Sequence, residues 1–261
     1  MKRFIWISVI TLFLGCAGNL YIRHHAVEVI SGDASLIVTV PHDGYLVPTG
    51  VPVRSDTVGC ELIIKNDLHT RKLGEKISKS YQRLTGKKPT LIINHIHRKY
   101  ADMNRSEDCG SEHPLTRKLH RKYSEKIKKE VNRLLKQYNQ ILHIDLHGHI
   151  SDSADIIIST REHSSIQKLY EKYGDGFFYG EKGILTNLEL RGYNVKLNEP
   201  FTGGHTIYFV PELNPGLISS IQFEIHSRFR HDNEKMGRVA QDLVEIIMQV
   251  ERMTASKHTS S

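Results

Sequence analysis

Apolar residues along this chain fall into short continuous runs and into longer stretches with a spacing of three to four positions. The short runs, rich in β-branched and aliphatic residues, predict buried strands. They cover Leu36 to Val40, Thr90 to Asn94, Ile141 to Leu146, Asp155 to Thr160 and Ser220 to Ile225. The longer stretches predict amphipathic helices. These span Asn66 to Thr85, Pro114 to Tyr138 and Asp232 to Met253.

Strands that alternate with helices predict one α/β domain with a mostly parallel or mixed sheet and helices on both faces. The segment from Gly174 to Pro200 is richer in glycine and asparagine, and its pattern predicts no element. A chain of 261 residues is long enough to bury a large core as a single domain. Its content of 39% hydrophobic and 25% charged residues argues against disorder.

The amino terminus has the pattern of a secretory signal. Basic residues precede an uncharged run from Phe4 to Leu14, which is too short to span a bilayer, and small residues follow it. We therefore predict a signal peptide over 1–18, a mature domain over 19–261, and a secreted, periplasmic or cell-surface protein. A buried amino-terminal helix is the alternative. A lipid anchor on Cys16 is a second option, less favoured than simple secretion.

Net charge and cysteine content limit the partners and the compartment. The formal net charge is +7, which by itself does not predict binding to nucleic acid. Beyond the signal there are two cysteines, Cys60 and Cys109, an even number that suits an oxidising compartment. The sequence does not place their Cα atoms, so it leaves open whether they form a disulfide or stay as two free thiols.

Side chains that bind metals follow several of the predicted strands. His42 follows the first strand, and His147 and His149 follow the third. The carboxyl ends of parallel strands meet at one edge of a sheet, where ligands bind. Neutral imidazole is also a common protein ligand for zinc. The histidines therefore predict a metal site at this edge.

The last predicted strand carries a carboxylate on a face that should be buried. Alternation places Gln222, Glu224 and His226 on one face and apolar residues on the other. A buried carboxylate is costly unless it is paired or used. Glu224 is therefore either a catalytic candidate or one half of a buried ion pair with Arg228 or Arg98.

Six short segments follow one another in an order that is found in a known family. The segment from Arg98 to Arg105, with the pattern Arg-x3-Asp-x-Asn-Arg, is the most specific of them. The other five are Val40 to Tyr45, Asp67 to Leu73, Asp145 to His147, Asn198 to Gly204 and Gln222 to Ile225. Together the six segments resemble the N-formylglutamate amidohydrolases, relatives of the zinc carboxypeptidases. The resemblance runs from about Leu36 to Asp232 and implies a phosphorylase/hydrolase-type α/β fold.

The resemblance implies a zinc site with His42 and His147 as ligands. The related carboxypeptidases take a glutamate ligand from the position that Tyr45 occupies in this chain. Asp67 matches a family carboxylate and is our candidate for the third ligand, with His149 as the alternative. Three protein ligands leave one zinc position open for water, as hydrolysis requires.

The resemblance also assigns roles around the zinc. Glu224 would be the general base, and Arg98 would stabilise the developing oxyanion. Asn104 and Arg105 would hold a substrate carboxylate, a task that suits a bidentate guanidinium.

Further residues complete the predicted site. Gly203 and Gly204 would let the backbone approach the substrate closely. Asp145 would fix the tautomer of a ligand histidine. Where the family commonly has serine after the Asp-x-His segment, this chain continues with Gly148 and His149. His149 is then either a replacement ligand or part of the pocket wall.

The predicted function is zinc-dependent hydrolysis of a C–N amide bond in a substrate that carries a carboxylate. Such a substrate is an N-acyl amino acid, for example N-formylglutamate, or the end of a peptide. Two alternatives stay open: a secreted metallopeptidase that acts on larger peptides or cell-wall fragments, and a non-catalytic relative that only binds metal. We expect a small-molecule or peptide partner, no nucleic acid, and no transmembrane span once the signal is removed.

Overall fold

The computed structural model describes residues 19–55 and 59–255. Within them, seven strands form one sheet in the order β1-β3-β2-β4-β7-β5-β6. The strands are β1 (Val27–Ile30), β2 (Leu36–Val40), β3 (Thr90–Asn94), β4 (Ile141–His149), β5 (Ile156–Ser159), β6 (Val195–Leu197) and β7 (Ile218–His226). None of the helices in these two ranges has the length and apolarity to cross a membrane. The predicted signal peptide and Cys16 lie outside the described residues.

The sheet is mixed, with a parallel centre. Strands β3, β2, β4 and β7 are parallel neighbours. At the edges, β1 pairs antiparallel with β3 and β5 pairs antiparallel with β7, while β6 is parallel to β5. The predicted mostly parallel or mixed sheet is therefore confirmed. The sequence pattern does not predict β1 and β6, because these strands of four and three residues each contain a charged residue and so form no continuous apolar run.

Helices cover both faces of the sheet, as the pattern predicts. They include α1 (Thr70–Thr85), α2 (Glu107–Gly110), α3 (Pro114–Leu134), α4 (Gln167–Tyr173), α5 (Gly176–Tyr179), α6 (Ile184–Glu189), α7 (Thr206–Glu212), α8 (Ser227–Arg230) and α9 (Asn233–Ala255). Helices α1 and α9 pack with one apolar face of the central strands, and α3 packs on the other face. The stretch 174–200, which has no clear pattern, forms α5, α6 and β6.

Helix α1 begins at Thr70, four residues later than predicted. The residues before it form a loop that is tied to the end of β2, because the Asp67 N–H donates to the His42 carbonyl at 3.0 Å. His69 then adopts a left-handed conformation with φ 68°, which separates the loop from the helix. The loop brings Asp67 close to the carboxyl end of β2.

The central strands β4 and β7 have one apolar and one polar face. Strand β4 extends three residues past its predicted end at Leu146, because it stays paired with β7 as far as His149. The polar face carries side chains that are buried although they are polar. They form the aligned pairs His143/Ser220, Asp145/Gln222, His147/Glu224 and His149/His226. Buried polar groups need partners, so this face predicts either a hydrogen-bond network or a bound ligand.

A disulfide joins Cys60 and Cys109, whose Cα atoms are 5.7 Å apart. The bond ties the loop at 59–65 to the short helix α2. Arg54 supports the same loop, since its guanidinium donates to the carbonyls of Ile63 at 2.6 Å and Cys109 at 3.2 Å. Of the two states that the sequence leaves open, the structure therefore has the disulfide.

Candidate metal centre and catalytic cavity

A cavity of about 490 Å³ opens at the carboxyl ends of β4 and β7. The disulfide-tied loop and the segment 200–204 contribute to its walls. The cavity is lined by all six residues predicted for catalysis or substrate binding, which are Arg98, Asn104, Arg105, Gly203, Gly204 and Glu224. The topology thus brings together residues that are far apart in the sequence.

Three buried side chains, His42, Asp67 and His147, place one ligand atom each at a common point. Nδ1 of His42 lies 3.1 Å from Nδ1 of His147. Oδ2 of Asp67 lies 3.2 Å from the His42 nitrogen and 3.1 Å from the His147 nitrogen. A tetrahedral zinc ion with bonds of the usual length holds neighbouring ligand atoms about 3.3 Å apart. The triangle therefore has the dimensions of a metal site.

A carboxylate behind each imidazole suits the tautomer that carries the ring proton on Nε2. Nε2–H of His42 donates to Oδ1 of Asp102 at 2.7 Å, and Nε2–H of His147 donates to Oδ2 of Asp145 at 2.9 Å. In this tautomer, both rings direct the lone pair of Nδ1 toward the Asp67 carboxylate. Two lone pairs and an anionic oxygen repel one another at such short distances unless a cation lies among them. The three residues therefore fit a metal ion in both geometry and chemistry.

The electrostatics of this triangle also favour a positive charge. Burial opposes ionisation of the Asp67 carboxyl, but contacts with His42 and His147 outweigh it and hold its pKa below the ordinary value. Burial likewise disfavours a charged His147, yet Asp145 and Asp67 raise its pKa well above the ordinary value. The surroundings thus stabilise a cation at this point, whether it is a proton or a metal.

Arg98 connects the acidic residues of the centre. Its Nε donates to Oδ2 of Asp102 at 2.9 Å, and its Nη1 donates to Oδ1 of Asp67 at 3.4 Å. Arg98 is buried and lines the cavity. It therefore positions the Asp67 carboxylate and also presents positive charge beside the candidate metal site.

Glu224 lines the cavity from β7, opposite His147 in the register of the two central strands. Its Oε1 accepts a hydrogen bond from Nε2 of Gln222 at 2.8 Å. The two arginines considered as ion-pair partners, Arg98 and Arg228, pair with aspartates instead. Burial raises the pKa of the Glu224 carboxyl above its ordinary value. The shift moves this group toward the range in which it can both accept and return a proton at neutral pH.

Asn104 holds the loop before α7 against the strand ends. Its Oδ1 accepts the N–H of Thr206 at 2.8 Å, and the N–H of Gly204 donates to Oε1 of Gln222 at 2.9 Å. A Cβ on Gly204 would lie 2.0 Å from Nδ2 of Asn104. Gly203 has φ 115°, a conformation that side chains rarely adopt. Asn104 and both glycines therefore shape the cavity wall.

Arg105 lines the cavity with donors that are only partly used. Its Nη2 donates to Oε2 of Glu61 at 2.6 Å, and the Glu61 side chain is 72% exposed. Its Nε is buried and has no hydrogen-bond partner among the described residues. An ion pair with so exposed a partner contributes little to stability. Arg105 is therefore free to exchange Glu61 for another anion.

Sequence reasoning assigns no role to Asp102 or Arg230. Asp102 lies between Arg98 and Arg105 in the sequence. An acidic residue between two arginines is the sequence feature that could have identified it. Arg230 is buried, packs against the backbone of Gly148, and donates to carbonyl groups of three separate segments. Two of its partners, the carbonyls of Leu68 and His149, are distant in sequence, so no local pattern reveals this role.

His149 stays outside the metal cluster found among residues 19–55 and 59–255. It lines the cavity two positions beyond His147. Burial lowers its pKa to about 4, so the ring is neutral at pH 7. Of the two roles that the sequence leaves open, its position is that of a wall residue.

No protein-family model and no curated protein matches this chain. Solved structures match it. The crystal structure of N-formylglutamate amidohydrolase from Ralstonia eutropha has a TM-score of 0.62 and 16% identity, covering 88% of this chain and 98% of that one. A gene product of Agrobacterium tumefaciens also has a TM-score of 0.62, with 13% identity over 87% of this chain and 94% of that one. The chain therefore has the fold of N-formylglutamate amidohydrolase, which confirms the predicted α/β class and the resemblance at the level of the fold.

Proposed function

We propose that this protein is a zinc-dependent hydrolase that cleaves a C–N amide bond in a substrate carrying a carboxylate. The proposal rests on the His42–Asp67–His147 triangle, with a carboxylate behind each imidazole and Glu224 in the same cavity. Zinc held by three protein ligands supplies a Lewis acid that polarises an amide carbonyl and activates water. The Ralstonia structure of the same fold is that of an amidohydrolase, which supports this class of reaction.

Glu224 acts as the general base and then as the general acid. It takes a proton from the attacking water and delivers it to the leaving nitrogen. Burial raises its pKa, which makes the carboxylate a stronger base and favours the first of these two proton transfers. The hydrogen bond from Gln222 keeps the carboxylate in one orientation throughout.

Arg98 stabilises the negative charge that develops on the carbonyl oxygen. Two of its nitrogens already hold Asp102 and Asp67, which fix the guanidinium at the cavity wall. A cation that is fixed before the reaction does not have to reorganise as charge develops. Arg98 thus both holds the two aspartates in place and stabilises the charge that develops in the reaction.

Arg105 binds the carboxylate of the substrate. Its Nε–H is unpaired among the described residues, and its partner Glu61 is largely exposed. A substrate carboxylate replaces Glu61 and gains two parallel hydrogen bonds from one guanidinium. We also propose that the protein is exported, a setting with which the Cys60–Cys109 disulfide is compatible.

The test combines metal content with a substrate screen. The purified protein should contain about one zinc per chain, and His147→Ala should lose it. N-acyl amino acids should be hydrolysed only before treatment with a chelator, and their carboxamide derivatives should be poor substrates. Arg105→Ala should raise KM for the acids and leave KM for the carboxamides almost unchanged.

The matched control for the metal is His226→Ala. His226 is buried on the same polar face of the sheet but is not one of the three ligands. This variant should keep its zinc. Stoichiometric zinc in His147→Ala, or hydrolysis that resists the chelator, would contradict the proposal.

A further inference from the structure

His149 has a buried polar atom that nothing in the described protein uses. The residue is 5% exposed, and its Nε2 has no hydrogen-bond partner among the described residues. Leaving a buried donor unpaired costs about 1–3 kcal/mol, so such groups generally have a partner in the working state. Because His149 lines the catalytic cavity, that partner is a molecule that enters it.

The hydrogen bonds of the ring define what this partner must be. Nδ1 of His149 accepts the N–H of Ser151 at 3.2 Å. The proton of the ring is therefore on Nε2, which makes Nε2 a donor and prevents it from acting as a metal ligand in this tautomer. The complementary group is a hydrogen-bond acceptor, such as a carbonyl oxygen.

The position of His149 sets the distance from the metal site. His147 and His149 lie on the same face of β4, and two residues of a strand span about 7 Å. One extended residue of a substrate spans only about 3.5 Å. A substrate whose scissile amide lies at the metal site therefore reaches His149 only with a group about two residue lengths away. The acceptor that meets His149 belongs to that group and not to the scissile amide.

The cavity next to His149 also suits a substrate longer than one residue. Ile150 and Phe201 line it and are 75% and 39% exposed, so they offer apolar contacts near its opening. Its volume of about 490 Å³ is in the range that holds drug-sized ligands, larger than an N-formyl amino acid needs.

We propose that the preferred substrate is peptide-like, with at least two amide bonds, and that His149 donates its Nε2–H to the carbonyl oxygen next to the scissile amide. The inference rests on the proposed function, which places the substrate carboxylate on the amine side of the scissile bond. The second amide then lies on the acyl side. His149 is thus a specificity residue that selects an acylated dipeptide over an N-acyl amino acid.

The experiment compares two ligands of equal length on the zinc-loaded full chain. One is an N-acetyl dipeptide, and the other is an N-alkanoyl amino acid in which methylene groups replace the second amide. Wild type should favour the dipeptide by about tenfold in kcat/KM, the value of one hydrogen bond. His149→Phe keeps a ring of similar size but removes the donor, so this preference should disappear.

His226→Phe is the matched control, because His226 is paired with His149 across β4 and β7 but does not line the cavity. This variant should keep the tenfold preference. If His149→Phe keeps it as well, or loses activity on both ligands equally, the inference is wrong. Equal rates on both ligands in wild type would also overturn it while leaving the proposed function intact.

If wild type hydrolyses neither ligand, the proposed function fails, and a binding measurement still tests His149. The ¹⁵N resonance of the His149 Nε2 should shift when the dipeptide is added to the labelled zinc-loaded chain. The alkanoyl ligand should leave this resonance in place. No shift with either ligand would overturn the inference.

Discussion

Asp102→Asn tests whether the carboxylates behind the imidazoles hold the candidate metal site together. Each oxygen of Asp102 accepts hydrogen bonds from fixed donors: Oδ1 from Nε2–H of His42 at 2.7 Å and the N–H of Asn104 at 3.0 Å, and Oδ2 from Nε of Arg98 at 2.9 Å. An asparagine has only one oxygen. Whichever way its amide is turned, the NH₂ group faces another donor.

The size of the effect follows from these contacts. One buried donor is left without an acceptor, and the buried Arg98 guanidinium loses a counterion. Together these changes should lower the free energy of unfolding of the metal-free protein by about 3 kcal/mol. If the tautomer of His42 is no longer fixed, zinc affinity should fall by about 10–100-fold.

Asp145→Asn is a matched control with a different expected result. Oδ2 of Asp145 accepts from His147, but Oδ1 contacts the hydroxyl of Thr39 at 2.6 Å. A hydroxyl either donates or accepts, so the asparagine keeps its oxygen toward His147 and its NH₂ toward Thr39. The variant leaves no buried donor unpaired, so its free energy of unfolding should fall by less than that of Asp102→Asn although His147 loses a counterion. Its zinc affinity should fall by about tenfold at most.

The assay measures zinc affinity by competition with a chromophoric chelator, and unfolding by urea in the presence of excess chelator. Asp102→Asn should be the weaker zinc binder and the less stable of the two variants. Equal losses in both variants would refute the reasoning, because they would show that the loss of negative charge, and not the mismatch of donors, sets the effect.

Three further predictions concern other parts of the site. Glu224→Gln should keep its zinc but lower kcat by about 10²–10⁴-fold; a variant with full activity would remove Glu224 from the mechanism. Gly204→Ala should lower the free energy of unfolding by about 1–3 kcal/mol in urea denaturation, because its Cβ would lie 2.0 Å from the amide nitrogen of Asn104. Burial lowers the pKa of His143 to about 4, so between pH 6.5 and 4 the unfolded chain binds a proton that the native protein excludes. The free energy of unfolding should therefore decrease by up to about 3 kcal/mol as the pH falls through this window, and His143→Gln should weaken that dependence.

Much of the fold could be predicted from local patterns. Strands β2 and β3 and the apolar face of α3 follow from short apolar runs and helical spacing, which depend only on neighbouring residues. The end of β4 could not be predicted in this way. His147 and His149 look like residues of a loop in the sequence, and they belong to the strand because β7 pairs with them.

The candidate site also contains residues that the sequence predicts and residues that only the structure reveals. The motifs identify His42, His147 and Glu224 as candidates, because their residue types and order resemble those of a known family. They do not show how Asp102 and Arg230 support the site, because each residue also has partners in distant segments: His42 for Asp102, and Leu68 and His149 for Arg230.

By itself, the sequence determined the elements, the mixed α/β class and the residue types available for the chemistry. Only the tertiary structure decided which of those residues meet. It joined Cys60 to Cys109, brought Asp67 to within 3.2 Å of both His42 and His147, and placed His149 on the wall of the cavity. The physical reason is that periodicity reflects contacts between close neighbours along the chain, whereas a metal site needs atoms from several strand ends at distances of about 3 Å. Those distances depend on the crossovers of the sheet, which no local pattern contains.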